Sequence, residues 1–205
     1  MHIATTHVNT DFDALASLVA AAYLYPGTVG VLPRQVQPDV KEFLAIHKDL
    51  FRITSRNDID ISDITRLIIV DTNRWNRLDL MSELQERADL EIILWDHHMK
   101  GGDIEPSWEC QQEAGANITL MLREMRRREI AFAPMQATLF LMGLYDDTGN
   151  LTYPSSTSED AHAAGYLLEN GADLNVAGAY LSKSLDLGQT TALTLMLEGS
   201  KIFRI

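Results

Sequence analysis

The sequence of 205 residues contains one cysteine, Cys110, and no long apolar run. A single cysteine excludes an internal disulfide and a cysteine-based zinc site, and it fits a protein of a reducing compartment. A membrane-spanning helix needs about 20 consecutive apolar residues, and no segment approaches that length. We therefore expect a cytoplasmic protein that has no membrane partner.

Basic residues are also scarce. The sequence has 17 Lys and Arg against 29 Asp and Glu, which gives a formal net charge of −12. Non-specific affinity for nucleic acids depends on Lys and Arg that neutralise phosphates, so the chain as a whole is a poor polyanion binder. If its substrate is a phosphate ester, bound divalent cations would reverse the field locally. The acidity can also serve solubility alone.

Strand and helix patterns alternate along the first half of the chain. Strands are predicted at residues 1–8, 28–32, 51–54, 66–70 and 90–95, and helices at 13–25, 39–50 and 78–88. The second half is mostly helical, with helices predicted at 114–128, 134–145, 157–169, 173–181 and 187–197. This order predicts an α/β fold with a mostly parallel central sheet, helices on both faces and a helical C-terminal part.

The predicted domain organisation is one domain over residues 1–185, followed by a helical linker over residues 186–205. Residues 201–205 resemble the start of a new element. We therefore expect this chain to be a fragment of a longer protein, and the linker to lead to a second domain that the chain does not contain. Further domains and a second copy of the chain remain possible partners.

Acidic residues and histidines follow three of the predicted strands, and an acidic pair follows a helix late in the chain. In order along the sequence they are His7, Asp11 and Asp13, then Asp71, then Asp96, His97 and His98, and finally Asp146 and Asp147. Because ligands gather at the carboxyl ends of the strands of an open parallel sheet, we expect these side chains to meet at one edge of the sheet.

Such a cluster needs a cation. Carboxylates at short distance repel one another, and a partly buried charge must be solvated or paired. No matching group of Lys or Arg lies beside these motifs in the sequence. Asp and His donors without Cys suit Mn²⁺, and less well Mg²⁺, Co²⁺ or Zn²⁺. The number of donors exceeds the need of one ion, which predicts a binuclear site with its ions about 3.5–4 Å apart.

Four motifs in order carry a family resemblance: His-x-Asn-x-Asp-x-Asp at 7–13, Val-Asp-Thr at 70–72, Asp-His-His at 96–98 and Asp-Thr-Gly at 147–149. They resemble the DHH phosphoesterase superfamily, which includes RecJ exonucleases, nano-RNases, cyclic-dinucleotide hydrolases and family II pyrophosphatases. Residues 11–17, 24–27 and 143–153 are similar to the N-terminal DHH domain of bacterial proteins that continue into CBS domains and a poly(A) polymerase or tRNA nucleotidyltransferase-like module. Phe12, where Gly is usual, and Thr10, where Pro is common, depart from the pattern.

The resemblance implies two divalent cations, with Mn²⁺ as the first choice and Mg²⁺ or Co²⁺ as alternatives. One cation would be held by His7, Asp11 and Asp71, and the other by Asp13, Asp71, His97 and Asp147, so that Asp71 bridges them. His98 would face the substrate phosphate. Asp96 would orient the neighbouring imidazole. His98, Asp71 and Asp96 are thus the predicted catalytic group.

Simpler interpretations exist for several of these residues. Asp13 could cap the first helix, Asp71 and Asp96 could be turn residues at strand ends, and Asp147 could begin an ordinary turn. The basic run at 126–128 fits a helix end in solvent, and a contact to an RNA backbone is the alternative.

Three functions remain open on the sequence. The first is a phosphoesterase that hydrolyses phosphodiester bonds of short oligonucleotides, RNA ends or nucleotides through a water activated by two metals. The second is an inorganic pyrophosphatase or polyphosphatase. The third is a metal- and nucleotide-binding regulatory module of an RNA nucleotidyltransferase.

Overall fold

The sheet is parallel throughout. The computed structural model describes residues 1–79, 81–181 and 187–199, and six strands of this part form one sheet in the order β3-β2-β1-β4-β5-β6. The strands are β1 (His2–Thr5), β2 (Val29–Leu32), β3 (Ile53–Ser55), β4 (Arg66–Val70), β5 (Glu91–Asp96) and β6 (Trp108–Gln111). Every neighbouring pair is parallel. The strand order reverses between β1 and β4, and such a switch point opens a crevice at the carboxyl ends of the strands.

Seven α-helices complete the described part of the chain: α1 (Phe12–Leu24), α2 (Pro38–His47), α3 (Asn117–Arg127), α4 (Pro134–Thr148), α5 (Ser158–Glu169), α6 (Leu174–Leu181) and α7 (Leu187–Glu198). The predicted α/β fold with a helical C-terminal part is confirmed. None of the described helices has both the length and the apolar character that crossing a bilayer requires.

Alternate residues of the inner strands belong to two separate hydrophobic cores. In β4, Ile68 and Val70 pack on the face that α1, α3 and α4 cover, whereas Leu67 and Ile69 belong to the opposite core. This period of two follows from strand geometry. Short 3-10 helices, including Trp75–Arg77 and Ser82–Leu84, lie over the second face. Both faces are thus covered, so the central strands read as continuous apolar runs.

Helices α1 and α4 approach each other closely, and this contact positions the candidate site. A Cβ at Gly143 would lie 2.7 Å from the Cβ of Ala16 and 2.9 Å from the backbone oxygen of Phe12. Only glycine fits there without displacing the helices. The contact places the first turn of α1, which carries Asp13, beside the end of α4, which carries Asp147.

The helix predicted at 78–88 is wrong. Leu78, Met81 and Leu84 are buried as its periodicity suggested, but the chain there forms turns and the 3-10 helix Ser82–Leu84. Leu78 is extended and bridges to His7. The buried Asp79 binds the guanidinium and backbone nitrogen of Arg34. These long-range contacts hold the segment in a shape that a helix could not adopt.

The edge strand β6 was not predicted, because only Cys110 of its four residues is buried and no apolar run marks it. The proposed domain boundary at residue 185, the start of the linker at 186 and the element suggested at 201–205 lie outside the described residues. The division into domain and linker stays a prediction.

The glycine at the α1–α4 contact gives a test of the packing. We expect Gly143→Ala to lower the free energy of unfolding by about 1–3 kcal/mol, the usual cost of overpacking a tight interface. Gly165→Ala is the matched control, because nothing lies within 4 Å of a Cβ built there in α5. That change should raise stability by up to about 1 kcal/mol. Urea denaturation of both variants measures the difference, and equal stabilities would show that the close contact is absent.

Candidate metal centre

Asp71 lies at the centre of the cluster. It follows β4 with a φ of +57°, a left-handed conformation that is uncommon outside glycine. One carboxylate oxygen, Oδ2, lies 3.1 Å from Nε2 of His7, and the other, Oδ1, lies 3.3 Å from Nε2 of His97. The side chain is 3% exposed. A buried carboxylate is thus shared between two imidazoles on opposite sides.

The first group of potential ligands comes from the loop after β1. His7 donates a hydrogen bond from Nδ1 to the backbone oxygen of Val8 at 2.8 Å, because a carbonyl can only accept. Its Nε2 then points to Asp71 and, at 3.7 Å, to Asp11 Oδ2. One donor atom from each of His7, Asp11 and Asp71 lies within 4.8 Å of the others.

The second group joins residues from four parts of the chain. His97 Nδ1 donates to the backbone oxygen of Ala114 at 3.1 Å, so its Nε2 faces inward. That nitrogen lies 3.3 Å from Asp147 Oδ2. Asp13 completes the group, and the donor atoms of Asp13, Asp71, His97 and Asp147 all lie within 4.8 Å of one another. The structure therefore brings together the two predicted ligand sets, with Asp71 common to both.

Asp13 has a second role that the sequence did not reveal. Both of its oxygens accept hydrogen bonds from the start of α3, at 2.6 Å from the backbone nitrogen of Asn117 and at 2.9 Å from that of Ile118. The positive end of the helix stabilises this buried carboxylate. The residue that caps α1 is Asp11, which accepts from the backbone nitrogen of Ala14 at 2.9 Å. The simpler interpretation of Asp13 as the cap of α1 is therefore wrong.

Asp147 occupies an unfavourable position for a carboxylate. It lies in the last turn of α4, which ends at Gly149 in the left-handed conformation, and no basic residue shares that turn. The C-terminal end of a helix carries partial negative charge, which repels an acid. The simpler interpretation of Asp147 as part of a turn is wrong, since the helix continues to Thr148.

The Asp96–His98 pair adjoins the two groups, and donor atoms of His98, Asp71 and His97 also lie within 4.8 Å of one another. Asp96 is fully buried at the end of β5, and its Oδ1 accepts from Nδ1 of His98 at 2.7 Å. The side chain of His98 is 47% exposed, whereas that of His97 is 12% exposed. His98 is therefore the more accessible imidazole of the pair, and Asp96 fixes its orientation.

The site's own atoms fit a bound cation. Asp71 Oδ1 and His97 Nε2 are buried and, among the described residues, neither has a partner in hydrogen-bond geometry, although they lie 3.3 Å apart. Such orphaned atoms are rare in folded proteins. Because Nδ1 of His97 is committed to a carbonyl, its Nε2 must carry a proton or face a cation. The O and N donors suit a hard or borderline divalent ion.

The shifted pKa values of the cluster also indicate that it is stabilised by positive charge. Burial and the charge of Asp71 raise the pKa of Asp11 to about 6 and that of Asp147 to about 7. Burial, and then the charges of Asp71 and Asp147, raise the pKa of Asp13. Burial alone would lower the pKa of His97, but its contact with the Asp71 carboxylate and the charges of Asp13 and Asp71 raise it to about 10. Positive charge, from protons or from a cation, thus stabilises the cluster.

Asp71 itself shifts in the opposite direction. Burial would raise the pKa of its carboxyl, but the hydrogen bond from His7 and the neighbouring imidazole of His97 hold the pKa below its usual value. Asp71 therefore loses its proton at a lower pH than the acids around it. A bridging ligand must be ionised in the same way.

Sequence reasoning missed several residues that hold the site in place. Asn73 donates to the backbone oxygen of His98 at 3.1 Å and so joins the loops after β4 and β5. The buried Asp160 in α5 accepts from the backbone nitrogen of Gly115 at 3.0 Å and from the hydroxyl of Thr119 at 2.6 Å. Asn73 was at least adjacent to a motif. The position of Asp160 in the first turn of α5 indicates only helix capping. Its partners Thr119 and Gly115 lie 41 and 45 residues away, so no local pattern predicts them.

The order of strands and the buried acid-and-imidazole cluster at the switch point define the class: an α/β domain with a candidate metal centre. Residues 2–144 of the sequence match the model of a protein family described as "DHH family, N-terminal domain". The chain therefore belongs to the DHH family.

Comparison with known proteins gives relatives of several kinds. The chain is 38% identical over 200 residues to the A-adding tRNA nucleotidyltransferase of Geobacter sulfurreducens, covering 97% of this chain and 23% of that protein. It is 26% identical to the bifunctional oligoribonuclease and PAP phosphatase NrnA of Mycoplasma genitalium, covering 63% of this chain and 42% of that protein. The chain thus spans less than a quarter of the first relative and less than half of the second.

Two further comparisons extend this range. The "Probable manganese-dependent inorganic pyrophosphatase" of Deinococcus radiodurans is 25% identical, covering 96% of this chain and 63% of that protein. The crystal structure of an exopolyphosphatase-related protein from Bacteroides fragilis superposes with a TM-score of 0.78 at 19% identity, covering 98% of this chain and 62% of that one. The superposition shows the shared fold. By their names, NrnA and the pyrophosphatase are hydrolases, which supports a phosphoesterase.

The raised pKa values predict how stability depends on pH. Acids with pKa values raised in the folded state bind more protons when folded, so metal-free stability should fall as the pH rises through about 4 to 7. Because the pKa of His97 is also raised in the folded state, the metal-free stability should keep falling up to about pH 10. We expect the melting temperature in EDTA to be lower at pH 8 than at pH 5.5. Added Mn²⁺ should reverse that order, because metal binding replaces the protons.

Asp71→Asn is the diagnostic variant, because removing the central charge lowers the repulsion and also removes the shared ligand. Its melting temperature should depend less on pH and should not rise with Mn²⁺. Asp49→Asn, an exposed acid after α2, should behave as wild type. A wild-type melting temperature that ignores both pH and Mn²⁺ would refute a metal-binding cluster.

Proposed function

We propose that this domain is a metal-dependent phosphoesterase that hydrolyses phosphodiester bonds in short oligonucleotides, RNA ends or nucleotides. The observation that carries the proposal is the buried Asp71 carboxylate, whose two oxygens face two different imidazoles. The hydrolase names of NrnA and the pyrophosphatase support the reaction class. The word oligoribonuclease in one of these names supports the substrate class.

The proposed cofactor is a pair of divalent cations, Mn²⁺ by preference, with Mg²⁺ or Co²⁺ as alternatives. His7, Asp11 and Asp71 would hold one ion, while Asp13, Asp71, His97 and Asp147 would hold the other. When bound, such a pair supplies a water of lowered pKa and positive charge for the phosphoryl oxygens. The manganese in the name of the Deinococcus relative supports the choice of metal.

The protein's own contribution is orientation. His7 and His97 each have Nδ1 fixed by a backbone carbonyl, so each Nε2 is held toward Asp71. The left-handed backbone at Asp71 directs its carboxylate between them. Groups held in advance need no reorganisation during the reaction, and this is the main source of electrostatic catalysis.

His98 is proposed to act on the substrate. Asp96 holds its Nδ1, which leaves Nε2 of the half-exposed ring for the substrate. In its doubly protonated form, His98 would donate a hydrogen bond to a phosphoryl oxygen and offset the charge that develops there. Asp96 is a positioning residue, because it acts through His98.

Two other functions have specific support. A pyrophosphatase is favoured by the Deinococcus relative, but it requires several Lys or Arg around a small anion, and the sequence has no such group of basic residues beside its four motifs. A regulatory module that binds metal and nucleotide is favoured by the tRNA nucleotidyltransferase relative. The complete set of potential ligands argues against binding alone. In either case further domains of a longer chain are proposed partners.

A turnover panel with Mn²⁺ separates these functions. We expect wild type to hydrolyse bis-p-nitrophenyl phosphate, dinucleotides and short RNA, and Asp71→Asn to lose at least ~10³-fold in kcat, since a single electrostatic group can contribute about that much. Asp49→Asn should retain wild-type rates. Hydrolysis of pyrophosphate alone would favour the pyrophosphatase. Metal and nucleotide binding without turnover would favour the regulatory module.

The role of His98 has its own test. His98→Gln should lower kcat by about 10²-fold, the effect of losing one donor to a developing charge, while the affinity for Mn²⁺ stays within twofold. Asp96→Asn should lower kcat by less than His98→Gln does, because the amide oxygen can still accept from Nδ1 of His98 but the charge-assisted part of that hydrogen bond is lost. Loss of Mn²⁺ affinity in His98→Gln would instead make His98 a metal ligand.

A further inference from the structure

A basic groove lies at the β3 edge of the sheet, outside the metal centre. It has a volume of about 950 Å³. Its walls come from α2, from the loop after β2 and from the end of β3. Arg34, Lys41 and Lys48 supply charge, and no acidic residue is among the described residues that line it. In a chain with a net charge of −12, a groove of this sign is unexpected.

The two lysines are free to bind a ligand. Lys41 lies in α2 and Lys48 directly follows it; both are exposed. Among the described residues neither forms an ion pair with a carboxylate. Arg34 differs, because its guanidinium is bound by Asp79 at 2.9 Å. The free charge of the groove therefore comes from the lysines.

The groove is linked to the loop that carries two residues of the candidate active site. Asn9 lines it and belongs to the same loop as His7 and Asp11. The backbone nitrogen of Asn9 donates to the oxygen of Gln35 at 2.9 Å, which ties this loop to the groove wall. The loop that carries His7 and Asp11 is therefore also part of the groove wall.

The spacing of charges indicates the kind of ligand. Seven residues separate Lys41 from Lys48, which is about 10 Å along a helix. A nucleic-acid strand carries one phosphate per ~3.4 Å of stacked rise, so the groove spans about three nucleotides. Val36, Pro38 and Ala45, which line the groove and are at least partly exposed, supply apolar surface beside these charges.

We propose that this groove binds the backbone of single-stranded RNA beyond the phosphate that is cleaved. This inference rests on the proposed function. If the domain hydrolyses oligonucleotides, the groove makes it prefer those of several residues to dinucleotides. Lys41 and Lys48 then determine substrate length, and they take no part in the chemistry. The groove supplies positive charge next to the loop that carries His7 and Asp11.

Binding can be tested without turnover. All proteins carry Asp71→Asn, and fluorescence anisotropy measures the affinity for a labelled eight-nucleotide single-stranded RNA. Lys41→Glu/Lys48→Glu should weaken binding at least tenfold. The slope of log Kd against log salt should fall by about 1.4, because each neutralised phosphate of a single strand contributes about 0.7. Circular dichroism should show an unchanged fold, since both side chains are exposed.

Arg126→Glu/Arg127→Glu is the matched control. It makes the same change of net charge at the C-terminal end of α3, whose N-terminal end is the one that Asp13 binds. We expect RNA affinity within twofold of the parent. Equal losses in both double variants, or no loss in the lysine variant, would overturn the groove as the binding site. A loss confined to the arginine variant would move RNA binding to α3.

A second measurement separates the groove from the proposed chemistry. With Asp71 restored and Mn²⁺ added, Lys41→Glu/Lys48→Glu should raise KM for the eight-nucleotide RNA about tenfold and leave dinucleotide hydrolysis within twofold. If wild type hydrolyses neither substrate yet RNA binding depends on the lysines, the proposed function fails and the groove stands. If both substrates are hydrolysed and the lysines have no effect, the groove fails.

Discussion

The structure depends on one electrostatic constraint: Asp71 must remain an ionised, buried carboxylate between His7 and His97. Three further acids, Asp11, Asp13 and Asp147, surround it, and charges of one sign this close are tolerable only with positive charge among them. Burial and the negative charge of their neighbours raise the pKa values of these acids, so protons compete with cations for the same positions. Divalent cations offset the negative charge while the carboxylates remain ionised.

The fold supports this cluster at a cost in local stability. Asp147 lies at the end of α4, where the helix dipole opposes it, and Asp71 holds a left-handed conformation, which costs of order 1–3 kcal/mol for such residues. Two features offset this loss of stability. The start of α3 donates two backbone hydrogen bonds to Asp13, and α1 packs closely against α4 at Gly143. Residues that lower the stability of the fold, as Asp71 and Asp147 do, are typical of functional sites.

Sequence reasoning succeeded where chemistry follows a local pattern. The apolar runs of β4 and β5 and the acids after them predicted both the parallel sheet and the edge at which the side chains meet. It failed where long-range contacts decide. The Arg34–Asp79 pair turns a helical pattern at 78–88 into turns, and the bonds from Asp13 to α3 join residues about 100 positions apart. Neither periodicity nor spacing contains such pairings.

The number and coupling of bound metal ions test the central claim most directly. Titration of the metal-free domain with Mn²⁺, followed by electron paramagnetic resonance, should give two ions per chain with the spectrum of a spin-coupled pair, because one carboxylate is shared by both ligand sets. Asp71→Asn should abolish the coupled signal. A single uncoupled ion in wild type, or no bound ion at all, would contradict the account.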